Sequence, residues 1–298
     1  MSNFQVVLSF DVEEHWRIEA AAKLTFDDET KRYYADRVAP STRWILEELA
    51  KHDRKATFFI VGQLARDQRD LVKEIHSAGH EVASHGWDHR RIHAMTPEDF
   101  KKDIQQSCDI LEEITGEKVL GYRAPTFSLV RQTSWALDIL ADRGLVYDSS
   151  IYPVRHDRYG IVDAPRGPFI AQGEKHELLE LPPVRLDFLG LKVPMGGGGY
   201  FRLFPLFMTN RAINQVRRKQ TPPLAMLYFH PWEFDPEQKR LPLGKVSRFR
   251  TYVGIKRSRA RLSSLFQRYP STTALDAARS LPLDQLPRFP LIEQKVEK

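Results

Sequence analysis

Two histidines four residues apart, His85 and His89, lie in the segment Ser84-His85-Gly86-Trp87-Asp88-His89, directly after a strand-like run. Two imidazoles and a carboxylate, with positions left open for water and substrate, make a divalent-metal site of the catalytic type. Ten histidines in 298 residues give roughly 0.3 such pairs by chance, and this chain has three. In His76/His80 the first residue falls on a helical stripe with Val72 and Ile75 and the second opens a strand, so structural roles suit them. His89/His93 shares a member with the pair that follows a strand end directly. For His85/His89, a metal site and a structural pair both remain open on spacing alone.

Other groups occupy comparable positions. Asp11 ends an apolar run, where a carboxylate is costly unless it is paired or functional. It can serve as a general base toward a metal-bound water, or as a helix cap or an arginine partner. His230 follows Leu224–Phe229 in the same way and can protonate a leaving amine, or be a core histidine. Arg123 can orient a carboxylate such as Asp11 or brace a loop. The four glycines at 196–199 allow either close backbone approach to a ligand or a flexible turn.

These residues need elements that bring them together. Strand-like runs cover Gln5–Val12, Ala56–Gly62, His80–Ser84 and Val119–Tyr122, with another ending near Asp148. Helical patterns fall at 41–52, 67–78, 96–115 and 133–143. The third opens on Thr96-Pro97-Glu98-Asp99, an N-cap, a first-turn proline and two first-turn acids, and Gly116 stops it. Phe100, Ile104, Cys108 and Leu111 recur at helical spacing within it, so Cys108 reads as a core residue. Alternation of this kind implies βαβ units and a parallel sheet, with reacting groups collected at the C-terminal strand ends. Beyond about residue 160, prolines, the hairpin-like RLDFLGLKVP and the glycine run read as an elaborated insertion. A helix at 204–219, a strand at 224–231 and a basic helix at 254–268 resume the alternation. A poorly ordered tail is expected after about 280.

The composition is ordinary for a globular chain, at 42% apolar and 28% charged. One cysteine excludes an intrachain disulfide and a thiolate-based structural zinc site. No apolar stretch approaches the roughly 18 residues that span a bilayer, and the first fifteen residues lack the basic start of a secretory signal. A cytoplasmic protein is therefore expected. The net charge of +6 is concentrated late, in 217–219 and 245–261. That concentration reads first as a solvated face and otherwise as contact with acidic glycan or lipid headgroups at the inner membrane.

Taken in order, SFDVE, SHGWDH, YRAPTF, DSS and YFHPWE resemble the five motifs of the NodB-homology polysaccharide deacetylases, carbohydrate esterase family four. The resemblance runs through residues 5–231. GGGYFR and FHPWE are similar to segments of the intracellular deacetylases associated with exosortase and exopolysaccharide loci. It implies an α/β fold, a distorted (β/α) barrel of the NodB type with an inserted hairpin region. The expected organisation is a deacetylase domain over 1–270 and a C-terminal extension over 271–298.

The resemblance also implies one divalent ion, usually zinc, held by His85, His89 and a carboxylate. It casts Asp11 as base, His230 as acid, Arg123 as the tether of the base, and the Thr126 N–H as an oxyanion donor. Val12 stands where the family has its metal-binding second aspartate, so the third ligand falls to Glu13 or Glu14. Strand alternation puts Glu13 on the side of Asp11, while a bulge would exchange the two glutamates. Trp16, Trp87, Phe127, Tyr200 and Trp232 are candidate surfaces for sugar rings. The expected activity is removal of N-acetyl groups from a polysaccharide or lipid-linked glycan, without nucleic acid as partner. An allantoinase-like hydrolase of small amides and a non-catalytic glycan-binding relative are the rivals.

Overall fold

The computed structural model describes residues 4–156 and 159–292. Among the described residues eleven strands occur in chain order: β1 (Gln5–Val12), β2 (Thr57–Ile60), β3 (Glu81–Ser84), β4 (Gly121–Tyr122), β5 (Tyr147–Asp148), β6 (Phe169–Gln172), β7 (Glu177–Glu180), β8 (Arg185–Phe188), β9 (Leu191–Pro194), β10 (Leu224–Phe229) and β11 (Arg288–Pro290). Nine form one sheet in the order β10-β1-β2-β3-β4-β5-β7-β6-β11; β8 and β9 form the separate hairpin. From β10 to β5 every pairing is parallel.

The helices are α1 (Asp28–Asp36), α2 (Val38–Lys51), α3 (Gly62–Asp67), α4 (Arg69–Ser77), α5 (Pro97–Thr115), α6 (Trp135–Asp142), α7 (Gly198–Leu203), α8 (Leu206–Lys219), α9 (Lys245–Tyr252), α10 (Ser258–Arg268) and α11 (Ala274–Ser280). In α5 the Thr96 side chain accepts from the Asp99 N–H, and Gly116 ends the helix with φ of +74°. Cys108 is fully buried on the apolar face of this helix, and burial pushes its thiol up to about 12.

Period-two alternation sorts β1 into two faces. Val6, Leu8, Phe10 and Val12 pack into the larger apolar cluster, beneath Ile45 and Leu49 of α2 and Leu71 and Ile75 of α4. Val7 joins Phe59, Ala83, Tyr147, Leu179 and Met226 in a second cluster on the concave side. This interior file, continued past each strand's C-terminal end, carries Asp11 and Glu13 from β1, His85 from β3, Arg123 from β4, Ser149 from β5 and His230 from β10. One parity argument thus accounts for six polar residues meeting at one mouth.

The opposite mouth is closed by α11. Its Ala274, Ala277 and Ala278 join the interior cluster, and the Ala274 N–H donates to Thr57 Oγ1 (2.7 Å) at the start of β2. β11 follows and pairs with β6, so chain expected to trail off after about 280 instead completes the sheet through residue 290. The prolines that suggest an irregular tail are compatible with an edge strand, where a missing N–H costs no ladder bond. The basic stretch at 254–268 also differs from expectation: a 3-10 turn at Ile255–Arg257 leads into α10, and α9 precedes it as a separate helix. Gly254 (φ +70°) separates the two, and a Cβ there would lie 2.2 Å from the Arg202 carbonyl oxygen.

Candidate active site

The loops at the C-terminal strand ends surround a cavity of about 650 Å³. Asp11, Glu13, His85, His89, Thr126, Phe127, Tyr200, His230 and Trp232 all line it.

At its floor, Glu13, His85 and His89 each offer one ligand atom, all within 4.8 Å of one another. His85 Nδ1–H donates to the Arg123 carbonyl (2.7 Å), which can only accept, so the lone pair belongs to Nε2. Burial holds the His85 imidazole down at about 4, in its neutral, ligating form. Glu13 Oε2 lies 2.5 Å from His89 Nε2, yet this buried oxygen lacks a partner with hydrogen-bond geometry. A buried carboxylate oxygen this close to an imidazole nitrogen, without a hydrogen bond between them, suits a shared cation. Burial raises the Glu13 carboxyl, but the His89, His230 and His85 rings outweigh it and bring it to about 2. His89 itself has φ of +64°, a left-handed conformation uncommon for a non-glycine residue and frequent at functional sites. The donor set therefore fits a divalent ion of the two-histidine, one-carboxylate kind. Glu14 points elsewhere, to Arg17 (2.6 Å).

Beside this cluster, Asp11 Oδ1 accepts from Arg123 Nη1 (2.7 Å). Arg123 is fully buried and also donates to Ser9 Oγ (2.8 Å), the Ser149 carbonyl (3.1 Å) and Ser149 Oγ (2.9 Å). Its guanidinium also stacks over Phe59 at 4.1 Å. The Asp148-Ser149-Ser150 segment thus braces the neighbouring loop, since Ser150 Oγ accepts from the Ala124 N–H (2.7 Å) while donating to Asp148 (2.5 Å).

At the end of the neighbouring strand β10, His230 Nδ1 bonds Glu233 Oε1 (2.8 Å), leaving Nε2 3.9 Å from Asp11 Oδ2 and 3.8 Å from Glu13 Oε1. Burial opposes the imidazolium, but the Glu233 hydrogen bond and the Glu13, Glu233 and Asp11 charges prevail and raise it to about 9. Glu233 is in turn held by Arg202 Nε (2.6 Å), and Arg202 anchors on the Thr251 and Val253 carbonyls. Arg202 and Glu233 lie within segments legible in the sequence, but sequence reasoning assigns neither a role. An arginine three residues beyond the glycine run is the available signal.

The geometry corrects two expectations. Trp87 does not line the cavity: its backbone N–H donates to Asp103 (2.8 Å) and its ring lies over Gly62 of α3, the one residue there without a side chain. Trp16 packs with Phe26 and under Arg17 in a peripheral apolar cluster, also outside the cavity. The glycine run serves the chain itself. A Cβ on Gly197 would stand 1.6 Å from the Tyr228 carbonyl oxygen, so glycine is what lets this segment lie against β10. Rim residues that sequence reasoning misses include Arg155, Tyr159, Tyr228 and Phe249, contributed by a loop, by β10 and by α9.

A profile described as "Polysaccharide deacetylase" matches residues 18–145, and one described as "Domain of unknown function (DUF3473)" matches 149–278. A peptidoglycan-N-acetylglucosamine deacetylase of Bacillus cereus is 27% identical over 121 residues, 40% of this chain and 42% of that protein. A peptidoglycan deacetylase of Helicobacter pylori is 30% identical over 107 residues, 36% of each chain. The chain thus spans less than half the length of these relatives. Among solved structures, a Mycobacterium smegmatis protein assigned as a polysaccharide deacetylase superposes with a TM-score of 0.60 at 19% identity, covering 97% of this chain and 93% of that one. Puue allantoinase superposes with a TM-score of 0.62 at 16% identity, covering 93% and 89%. Both share the α/β barrel-type fold of this chain, and residues 18–145 match the polysaccharide deacetylase family.

Proposed function

We propose that the chain is a metal-dependent hydrolase that removes N-acetyl groups from a polysaccharide or lipid-linked glycan precursor. The observation that carries this reading is the convergence of the Glu13, His85 and His89 ligand atoms beside Asp11 and His230, whose Nε2 lies 3.9 Å from Asp11 Oδ2. Glu13, His85 and His89 would hold the ion, for which zinc suits the mixed nitrogen and oxygen donors. Bound there, a divalent cation would polarise the acetyl carbonyl and lower the pKa of an attacking water.

The chain's own residues supply the rest. Asp11, fixed through Oδ1 by Arg123, presents Oδ2 to the cavity and accepts the proton of the water. The water oxygen bonds to the acetyl carbon and the carbonyl oxygen gathers negative charge, stabilised by a hydrogen bond that the Thr126 N–H donates to it. His230, kept protonated by Glu233, delivers its Nε2 proton to the amide nitrogen as the C–N bond breaks. The products are acetate and a free amino sugar. Phe127, Tyr200 and Trp232 give the cavity aromatic walls for sugar rings. An open cleft of this volume suits an oligomer better than a small cyclic ureide, which favours the deacetylase reading over the amide-hydrolase one.

Acetate release from N-acetylglucosamine oligomers, followed with and without added zinc, tests the proposal. Asp11→Asn and His230→Ala should each reduce kcat by roughly 10²-fold or more while the protein stays folded. Turnover of allantoin in place of oligomers would replace the substrate class. Tight oligomer binding without turnover under any metal would point to the glycan-binding reading.

A further inference from the structure

One stretch of chain, which borders the cleft through α9, differs in charge from the rest. Residues 238–275 contain ten Lys and Arg and no carboxylate, so the rest of the chain nets −4 against a total of +6. Among the described residues none of those ten cations forms an ion pair with a carboxylate, although fourteen other arginines do so. Within this stretch α9 exposes Val246 (66%) and Phe249 (59%), one turn apart on one face, between Lys245, Arg248 and Arg250. Next to it α7 exposes Leu203 (44%), and Leu203, Phe249 and Arg250 all line the rim of the cleft. Apolar side chains held in water at the mouth of a site, ringed by uncompensated cations, have the pattern of a helix that lies in a membrane interface.

We propose that α9 and the adjoining end of α7 dock the protein on an anionic lipid bilayer, with the cleft mouth facing the headgroups. Charge and shape decide among occupants. A second copy placed on this face by two-fold symmetry would set arginine against arginine with no carboxylate between them. A soluble polyanion would satisfy the cations but leave Val246 and Phe249 in water. A bilayer with acidic headgroups meets both needs, since each cation near such a surface contributes and the apolar pair enters the acyl boundary. The consequence for the cleft is a substrate presented at a membrane surface rather than delivered from bulk solution.

The test is co-sedimentation of the full chain with phosphatidylcholine vesicles carrying about one third phosphatidylglycerol, beside vesicles of phosphatidylcholine alone. Sedimentation with the anionic vesicles only is expected, and it should weaken as salt rises to about 0.5 M. Val246→Ser with Phe249→Ser, and separately Lys245→Glu with Arg248→Glu, should each weaken binding by about tenfold or more. All four side chains are exposed, so both pairs should keep the wild-type Tm. Failure to bind anionic vesicles at low salt, or equal binding to neutral ones, overturns the proposal. So does wild-type binding by the serine pair, which would leave a surface that reads charge alone, as an acidic polysaccharide would require. The measurement involves no turnover, so its outcome and that of the deacetylase assay are separable.

Discussion

Replacing Asp103 with asparagine should make the protein more stable, and the gain should grow with pH. Asp103 projects from α5 beneath the loop that carries His85 and His89. Its Oδ2 accepts from the Trp87 N–H (2.8 Å) and would lie 2.9 Å from a Cβ on Gly86, while its Oδ1 has no partner. Burial raises its carboxyl from 3.8 to about 7; the Trp87 N–H and Arg90 work against the rise, and the Asp88 charge adds to it. An acid raised in this way is held by the folded state as a proton that the unfolded chain releases. Between pH 3.8 and about 7 the folded state therefore binds more protons, and stability falls as pH rises through that window. At about 1.4 kcal/mol per pH unit, the ceiling is about 4 kcal/mol over the whole window and about 3 kcal/mol between pH 5 and 8. Asparagine keeps an acceptor for the Trp87 N–H and carries no charge to desolvate. Urea unfolding of both proteins at pH 5 and pH 8 reads the effect directly, provided the two m-values agree. The Asp103→Asn variant should lead the wild type by about 2 to 3 kcal/mol more at pH 8 than at pH 5. A difference independent of pH, or a wild type that gains stability across that interval relative to the variant, would refute the reasoning.

Three further outcomes follow from the geometry. Glu13→Gln should weaken metal binding by about tenfold or more in a chelator competition, with Glu14→Gln nearly neutral, because only Glu13 joins the two histidines. Arg123→Met should cost about 3 to 5 kcal/mol in urea unfolding, since it strands a buried Asp11 carboxylate. Gly197→Ala should cost about 3 kcal/mol or more by the same measurement, because its methyl group must displace the β10 backbone.

Much of this site is legible without the fold. Asp11, His85, Arg123 and His230 each stand just past a strand or at its end, and in a parallel sheet all such ends point the same way. Local rules are enough to place them together: strand propensity, period-two alternation and helix caps such as Thr96 and Gly116. The choice of Glu13 over Glu14 is also legible, because the register of β1 runs on without a bulge and keeps Glu13 on the Asp11 side. Val12, in the position of a metal-binding aspartate elsewhere in the family, packs with the apolar layer as its chemistry requires.

What only the tertiary structure decides involves partners far apart in the chain. Arg202 reaches Glu233 and thereby His230, and the pairing depends on how α7 crosses the end of β10. Trp87 turns away from the cavity because Gly62, on a different element, leaves room for its ring. The tail joins the sheet because the interior end near Thr57 needs a cover, which α11 supplies, and prolines at an edge carry no penalty. Side-chain type and spacing determine which face a residue takes. Which other face it meets depends on the path of the whole chain, and local pattern carries no record of that path.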